Sequence, residues 1–415
     1  MRLTRQLLAQ AEEALGALLG FSGPADETLS RYFRAHRELG RQERAFIAET
    51  VFSVLRRKRS LEAAAGSSAP HALLAAALLR LQGQSARSLE GLVEAELAAR
   101  VRGARAEAWP AAVRADLPDW LWQRLAGEYG DEEALRIAQG MLNAAPLDLR
   151  VNLARTTRAA VLERLARDDI EAAPTPLSPS GVRLAAKPAI NRHELFRDGL
   201  VEVQDEGSQL LAWLVAPRRG EMIADYCAGA GGKTLALAML TRGAGRIYAF
   251  DVSPKRLGAL APRAARAGIT NVHSIVLAGN NDARAGRLAG KLDRVLVDAP
   301  CSGFGTLRRN PDFKWRLGPE AIEELVAKQT RILEAASRLV KPGGRLVYAT
   351  CSLLREENEA VAAAFAAAQP EFQALSCSEL LAAQRIDVAG ERLRLWPHRH
   401  GTDGFFAAAF MRRAG

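Results

Sequence analysis

The chain has 415 residues, 48% hydrophobic and 25% charged, which is long for one core and ordinary for a folded protein in water. No uninterrupted apolar run reaches the length of a membrane span, and Met1-Arg2-Leu3-Thr4-Arg5 opens a mixed polar helix pattern rather than a signal-peptide core, so a cytoplasmic protein is expected. The net charge of +10 suits a polyanionic partner, although the arginine and alanine bias of a GC-rich genome would raise it as well. The four cysteines, Cys227, Cys301, Cys351 and Cys377, contain no C-x-x-C pair, and the six histidines add no zinc-ligand spacing, so no metal site is expected.

Residues 1–140 read as helices throughout. Segment 41–57 sets Phe46, Ile47, Val51, Val54 and Leu55 on one face, with Arg56, Arg57, Lys58 and Arg59 at its exit. That basic exit is either a solvated helix end or a contact for the polyanion. Ser67-Ser68-Ala69-Pro70 breaks the pattern before a second apolar helix through Leu73, Leu74, Leu78 and Leu79. From Pro146 the texture changes: 147–152 alternates like a strand, 157–166 reads as a helix, and Pro174, Pro176 and Pro179 punctuate a turn-rich stretch before Val182-Arg183-Leu184. This small α/β subdomain is expected over 141–200. From 201 to 415 strands at 222–225, 246–251, 273–277, 294–298 and 345–350 alternate with helices at 233–241, 254–267 and 319–340, and 405–410 adds a last strand. Such alternation predicts an α/β, doubly wound, Rossmann-like sheet.

The first of these strands runs into Asp225-Tyr226-Cys227-Ala228-Gly229-Ala230-Gly231-Gly232-Lys233-Thr234. Glycines at a strand-to-helix turn let a ligand approach the backbone at a helix N-terminus. A Walker A loop would need glycine at 227, which is Cys227, and a G-x-G-x-x-G loop would need it at 234, which is Thr234. Asp251 ends the second strand, where a carboxylate can bond both ribose hydroxyls, and Asn281-Asp282 follows the third, where an adenine would lie. The pattern fits a nucleoside cofactor held without its phosphates.

Asp298-Ala299-Pro300-Cys301 ends one strand and Thr350-Cys351-Ser352 ends another, with a long helix between them. A right-handed crossover to a neighbouring parallel strand places both thiols at the carboxyl edge of the sheet, roughly 5 Å apart in strand spacing. A reaction that needs such a thiol is methylation of carbon 5 of cytosine, which is a poor nucleophile until a thiolate adds at carbon 6. A second group can assist release, and Asp298 can hydrogen-bond the base. The residues alone do not say which cysteine attacks. An amino-group methyltransferase would show Pro-Pro and an aromatic where this chain has Ala299-Pro300-Cys301.

At this point the chain resembles the bacterial ribosomal RNA cytosine-5 methyltransferases of the Sun/Fmu (RsmB) type. The resemblance runs through Gln204-Asp205-Glu206-Gly207-Ser208, the fourth-motif segment 298–315, the sixth motif Tyr348-Ala349-Thr350-Cys351-Ser352, and Gly401-Thr402-Asp403-Gly404-Phe405-Phe406. The helical N-terminus is similar to the NusB-like RNA-binding domain of that branch. The resemblance implies S-adenosylmethionine as cofactor, held by Cys227, Ala228, Gly229, Ala230, Gly231, Gly232, Lys233, Asp251, Asp282 and Asp298. It implies Cys351 as nucleophile and Cys301 as the group assisting release, with Asp298 the third catalytic residue. RNA contacts are expected from Arg56, Arg57 and Lys58 and from Arg308, Arg309 and Lys314. The partner is RNA, ribosomal and of the small subunit, and the chain is expected to act as a monomer. Transfer RNA is the alternative substrate, and a non-catalytic RNA-binding assembly or antitermination factor the alternative role. The family's cofactor loop usually reads Cys-Ala-Ala-Pro-Gly-Gly-Lys; alanine replaces its proline here, which predicts a looser loop and weaker cofactor binding.

Overall fold

A computed structural model of the chain describes residues 3–414; Met1, Arg2 and Gly415, and with them the start of the expected N-terminal pattern, lie outside the described residues. The chain forms two compact units, one of Met1–Ala144 with Thr306–Pro319, the other of Ala145–Gly305 with Glu320–Gly415.

The first unit is helical, from Arg5–Leu19 to Asp131–Gly140. Its core gathers Leu15, Ile47, Val51, Leu55, Leu61 and Leu73, all at most 1% exposed. The expected apolar face of the third helix, Arg41–Arg56, is the face that enters this core. The sequence reading kept 306–319 in the catalytic domain, whereas this segment leaves the sheet and packs with the helices. Ala25 N donates to Asp312 at 3.3 Å, Trp315 Nε1 to Leu55 O at 2.7 Å, and Lys314 Nζ to Arg56 O at 2.8 Å.

The second unit holds two sheets. The smaller contains β1 (Leu147–Val151), β2 (Ala172–Pro174), β3 (Gly181–Leu184) and β4 (Val201–Val203) in the order β2-β3-β1-β4, all antiparallel. The helix Arg158–Arg167, capped by the Thr157 hydroxyl, buries Val161 and Leu165 against Leu149, Val151 and Val182.

The larger sheet contains β5 (Met222–Asp225), β6 (Arg246–Asp251), β7 (Val272–Val276), β8 (Leu292–Asp298), β9 (Val340–Thr350), β10 (Phe372–Leu375), β11 (Leu393–Leu395) and β12 (Phe405–Arg412). The order is β10-β12-β9-β8-β5-β6-β7, with β11 also on β12. Strands β5 to β9 are parallel, and β12 runs antiparallel against β9. Both faces are covered, so successive residues enter opposite cores: Val295, Val297, Leu346 and Tyr348 on one side, Leu296, Val347 and Ala349 on the other. The strand order reverses at β5, between β6 and β8, which opens the ligand crevice at the carboxyl ends of these strands.

The helix expected over 254–267 is two helices, Pro254–Gly258 and Leu260–Ala267. Pro262 lacks an amide hydrogen and its ring would clash with the carbonyl of Gly258, so the first helix stops there.

Candidate active site

The glycine turn lies between β5 and the helix Gly232–Leu240. Gly229 and Gly231 adopt φ of +54° and +85°, conformations that disfavour side chains. The turn is pinned by Ala228 N to Phe250 O at 2.8 Å, Gly231 N to Ala228 O at 2.8 Å, and Gly229 N to Asp251 Oδ2 at 2.8 Å. Asp251 therefore shapes the turn while its other oxygen accepts Ser253 N at 2.7 Å and meets Arg256 at 3.1 Å. From the small sheet, buried Arg150 donates to Gly232 O at 2.7 Å, a brace that the sequence reading missed. These bonds restrain a loop expected to be loose.

Behind the turn, Asp225 is 1% exposed and its Oδ2 accepts the Thr234 hydroxyl at 2.7 Å. Burial pushes its carboxyl up to about 7, only partly offset by that hydroxyl. Burial, with the carboxylates of Asp225, Asp298 and Asp251 nearby, also raises the Cys227 thiol far above its usual range, which keeps it protonated. Lys233 reaches Asp298 at 2.7 Å. Burial works against its ammonium, but Asp298 first, then Cys351 and Asp225, hold its pKa above the usual lysine value.

Register places Asp298 of β8 beside Ala349 of β9, so the segments that follow leave the sheet side by side. Cys301 Sγ and Cys351 Sγ are 3.4 Å apart, and both side chains are partly accessible. Gly305 N bonds Cys351 O, and Gly404 N bonds Gly305 O, each at 2.8 Å. A Cβ on Gly305 would stand 2.1 Å from Gly404 O, so this approach requires glycine. The hydrogen bond to Cys351, then burial, drives the Cys301 thiol well above its usual pKa.

The structure thus brings together 227–233, Asp251, Asp298, Cys301 and Cys351. Asp282 has a separate set of partners: Ala278 N at 2.8 Å, Arg284 N at 2.9 Å and the Arg284 guanidinium at 2.6 Å, whose hydrogen bond holds the carboxyl well below its usual range. It borders a cavity shared with Tyr226, Asn281 and Arg338.

The expected RNA contacts fare differently. Lys314 is 2% and Arg308 6% exposed, and burial pushes the Lys314 ammonium down to about 7. Arg56 donates from Nε and a terminal nitrogen to Arg308 O at 3.2 and 3.0 Å. Lys58 pairs with Glu62 at 2.7 Å. Arg308 and Lys314 are buried and are corrected to braces of the helical unit, whereas Arg56, like Arg57, is only partly buried. Arg57 and Arg309 stay half-buried.

Sequence reasoning also missed Ser302, Ser352 and Glu357. The two hydroxyls lie 3.1 Å apart and both donate to the Glu357 carboxylate, which is 0% exposed. The repeated Cys-Ser dipeptide, Cys301-Ser302 and Cys351-Ser352, was the available signal.

Among the described residues no group of histidine, cysteine or carboxylate side chains could hold a metal, and no helix is long and apolar enough to cross a membrane. Two family models match: "16S rRNA methyltransferase RsmB/F" over residues 212–411, and "Methyltr_RsmF/B-like, ferredoxin-like domain" over 117–191. A Bacillus subtilis protein named "Probable ribosomal RNA small subunit methyltransferase B" is 37% identical over 303 residues, 72% of this chain; the match spans 66% of that relative's length. A methyltransferase homolog from Pyrococcus horikoshii is 31% identical in its crystal structure, with TM-score 0.62 over 73% of this chain and 97% of that one. The crystal structure of PH0851 aligns over 99% of both chains at TM-score 0.79 and 26% identity. The sheet order, the paired cysteines and these matches agree: the chain belongs to the RsmB/F methyltransferase family.

Proposed function

We propose that the protein methylates carbon 5 of a cytosine in small-subunit ribosomal RNA, through a covalent bond between Cys351 and carbon 6 of the base. The carrying observation is the 3.4 Å pair of thiols at the carboxyl edge of the sheet, beside the Lys233–Asp298 ion pair. The relatives' names supply the substrate class. S-adenosylmethionine supplies, when bound, an electrophilic methyl group. The residues fit it: the turn at Gly229 has open space where a side chain would stand, and the carboxylates of Asp251 and Asp298 bond the two ends of that turn. Asp251 would take the ribose hydroxyls, and Asp282 the adenine side.

Cys351 is the better nucleophile of the two thiols. The Cys351 contact and burial keep Cys301 protonated, and the family resemblance assigns the attack to Cys351. The sulfur of Cys351 bonds carbon 6, and the electrons of the 5,6 double bond make carbon 5 nucleophilic. Asp298 hydrogen-bonds the base as charge redistributes. After transfer the proton on carbon 5 passes to water, the electrons of that carbon–hydrogen bond re-form the double bond, and the pair of the sulfur–carbon bond returns to Cys351, with Cys301 assisting that release.

The test separates the two cysteines. Cys351→Ala is expected to abolish methylation and form no protein–RNA adduct on a denaturing gel. Cys301→Ala is expected to accumulate the adduct. An adduct in the Cys351 variant alone would exchange the roles, and methylation intact in both variants would sink the covalent mechanism. Bisulfite sequencing of ribosomal and transfer RNA from a deletion strain identifies the substrate.

A further inference from the structure

Each active-site cysteine is followed by a serine, and the two serines share one buried partner. Ser302 Oγ donates to Glu357 Oε2 at 2.6 Å, and Ser352 Oγ donates to the same oxygen. The other oxygen, Oε1, accepts Ser302 N at 2.8 Å and Gln329 Nε2 at 2.9 Å. Gln329 Nε2 also donates to Pro300 O at 3.1 Å, the residue before Cys301. Glu357 is itself held, since Tyr348 Oη donates to its carbonyl at 2.6 Å. The next residue, Asn358, donates from Nδ2 to Ser352 O at 3.1 Å and accepts the Thr350 hydroxyl.

A wholly buried carboxylate is expensive to desolvate, and among the described residues no cation pairs with Glu357. A filler residue at this position would be apolar. What this carboxylate achieves is a link: on one side it holds the turn of Cys301, on the other the turn of Cys351. Those turns leave neighbouring strands whose backbones are already tied by Ala299 N to Ala349 O and Gly305 N to Cys351 O, each at 2.8 Å, and Glu357 adds the side-chain link beneath both cysteines.

We propose that Glu357 is a positioning residue, a buried clamp that binds both Cys-Ser turns and sets the spacing of the Cys301 and Cys351 thiols. That this spacing serves one base rests on the mechanism proposed above; the spacing itself does not.

The full chain is treated with dibromobimane, which bridges two nearby thiols, and with monobromobimane, which labels each singly. Peptide mapping identifies the Cys301–Cys351 product. Glu357→Ala is expected to slow bridging about tenfold and kcat by up to roughly hundredfold, through misplacement of reacting atoms. Single labelling and the KM for RNA should change little, while the thermal midpoint falls because buried donors lose their acceptor. Glu357→Gln keeps an acceptor for Ser302 N and Gln329 and offers its amide to the rotatable serine hydroxyls, so it is expected to restore bridging. Should Glu357→Ala not fold, the Ser302→Ala/Ser352→Ala double variant cuts the same links and is expected to lose bridging alike. Wild-type bridging in a folded Glu357→Ala chain, or in the double variant, would overturn the clamp. So would lost methylation with bridging retained. Bridging lost as expected, in a protein whose Cys301→Ala and Cys351→Ala variants both keep methylation, would support the clamp and sink the covalent mechanism instead.

Discussion

At the scale of single residues, function rests on groups whose charge is managed by their neighbours. Asp251 shapes the glycine turn and, in the function proposed above, takes the ribose hydroxyls. Asp251→Ala is expected to weaken S-adenosylmethionine binding by about 1.5–3 kcal/mol, roughly ten- to hundredfold, as loss of a charge-assisted bond. Unchanged affinity by calorimetry would remove Asp251 from the site. Lys314 offers a test by pH. Its folded pKa of about 7 lies below the unfolded value near 10.5, so the native state binds fewer protons between these limits. The penalty of holding Lys314 is full below pH 7 and disappears as pH rises toward 10.5. The thermal midpoint of the wild type relative to Lys314→Met should therefore climb between pH 7 and 10. A constant difference across that window would show that Lys314 titrates normally.

At the scale of elements, the cofactor turn and the two cysteine turns are built differently. The glycine turn is a local device: two positive-φ residues and a side-chain acceptor that starts only two dozen residues away. Within it Gly231 is the tighter position. A Cβ there would meet Leu260 Cδ1 at 2.2 Å, whereas Gly229 has nothing within 4 Å. Either alanine carries the left-handed strain of about 1–2 kcal/mol. Gly231→Ala adds a clash with Leu260, worth about 1–3 kcal/mol more if the core behaves as other overpacked sites do. Its melting midpoint should fall below that of Gly229→Ala, and equal midpoints would show that Leu260 yields freely. The cysteine turns depend instead on strand pairing, since β8 and β9 must align before Cys301 and Cys351 can meet.

For the whole molecule, the main consequence is that the helical unit is not a simple N-terminal appendage. The composition change at Pro146 invites a clean truncation there. Yet Thr306–Pro319 belongs to the same compact unit, and Asp312, Lys314 and Trp315 bond Ala25, Arg56 and Leu55. Deleting residues 1–144 leaves a buried lysine and a tryptophan without partners. Trypsin should then cut the truncated chain after Arg308 or Arg309 while sparing that bond in the full chain. Equal resistance in both would mean that the segment orders by itself.

What the sequence determined by itself was everything governed by local periodicity and by motif. Runs of valine and isoleucine alternating with helices specified the parallel sheet, and the glycine turn, Asp251 and the two strand-end cysteines marked the crevice, because each of these signals is written in neighbouring residues. It erred where a helix pattern hid Pro262, and where charge was taken for exposure at Arg308 and Lys314. Only the tertiary structure decided the fate of those charges, since burial depends on what packs above a residue and not on its own chemistry. The same holds for Glu357. In sequence it sits in a charged run, and in the fold it lies under both cysteine turns, because strands β8 and β9, distant along the chain, are neighbours in the sheet.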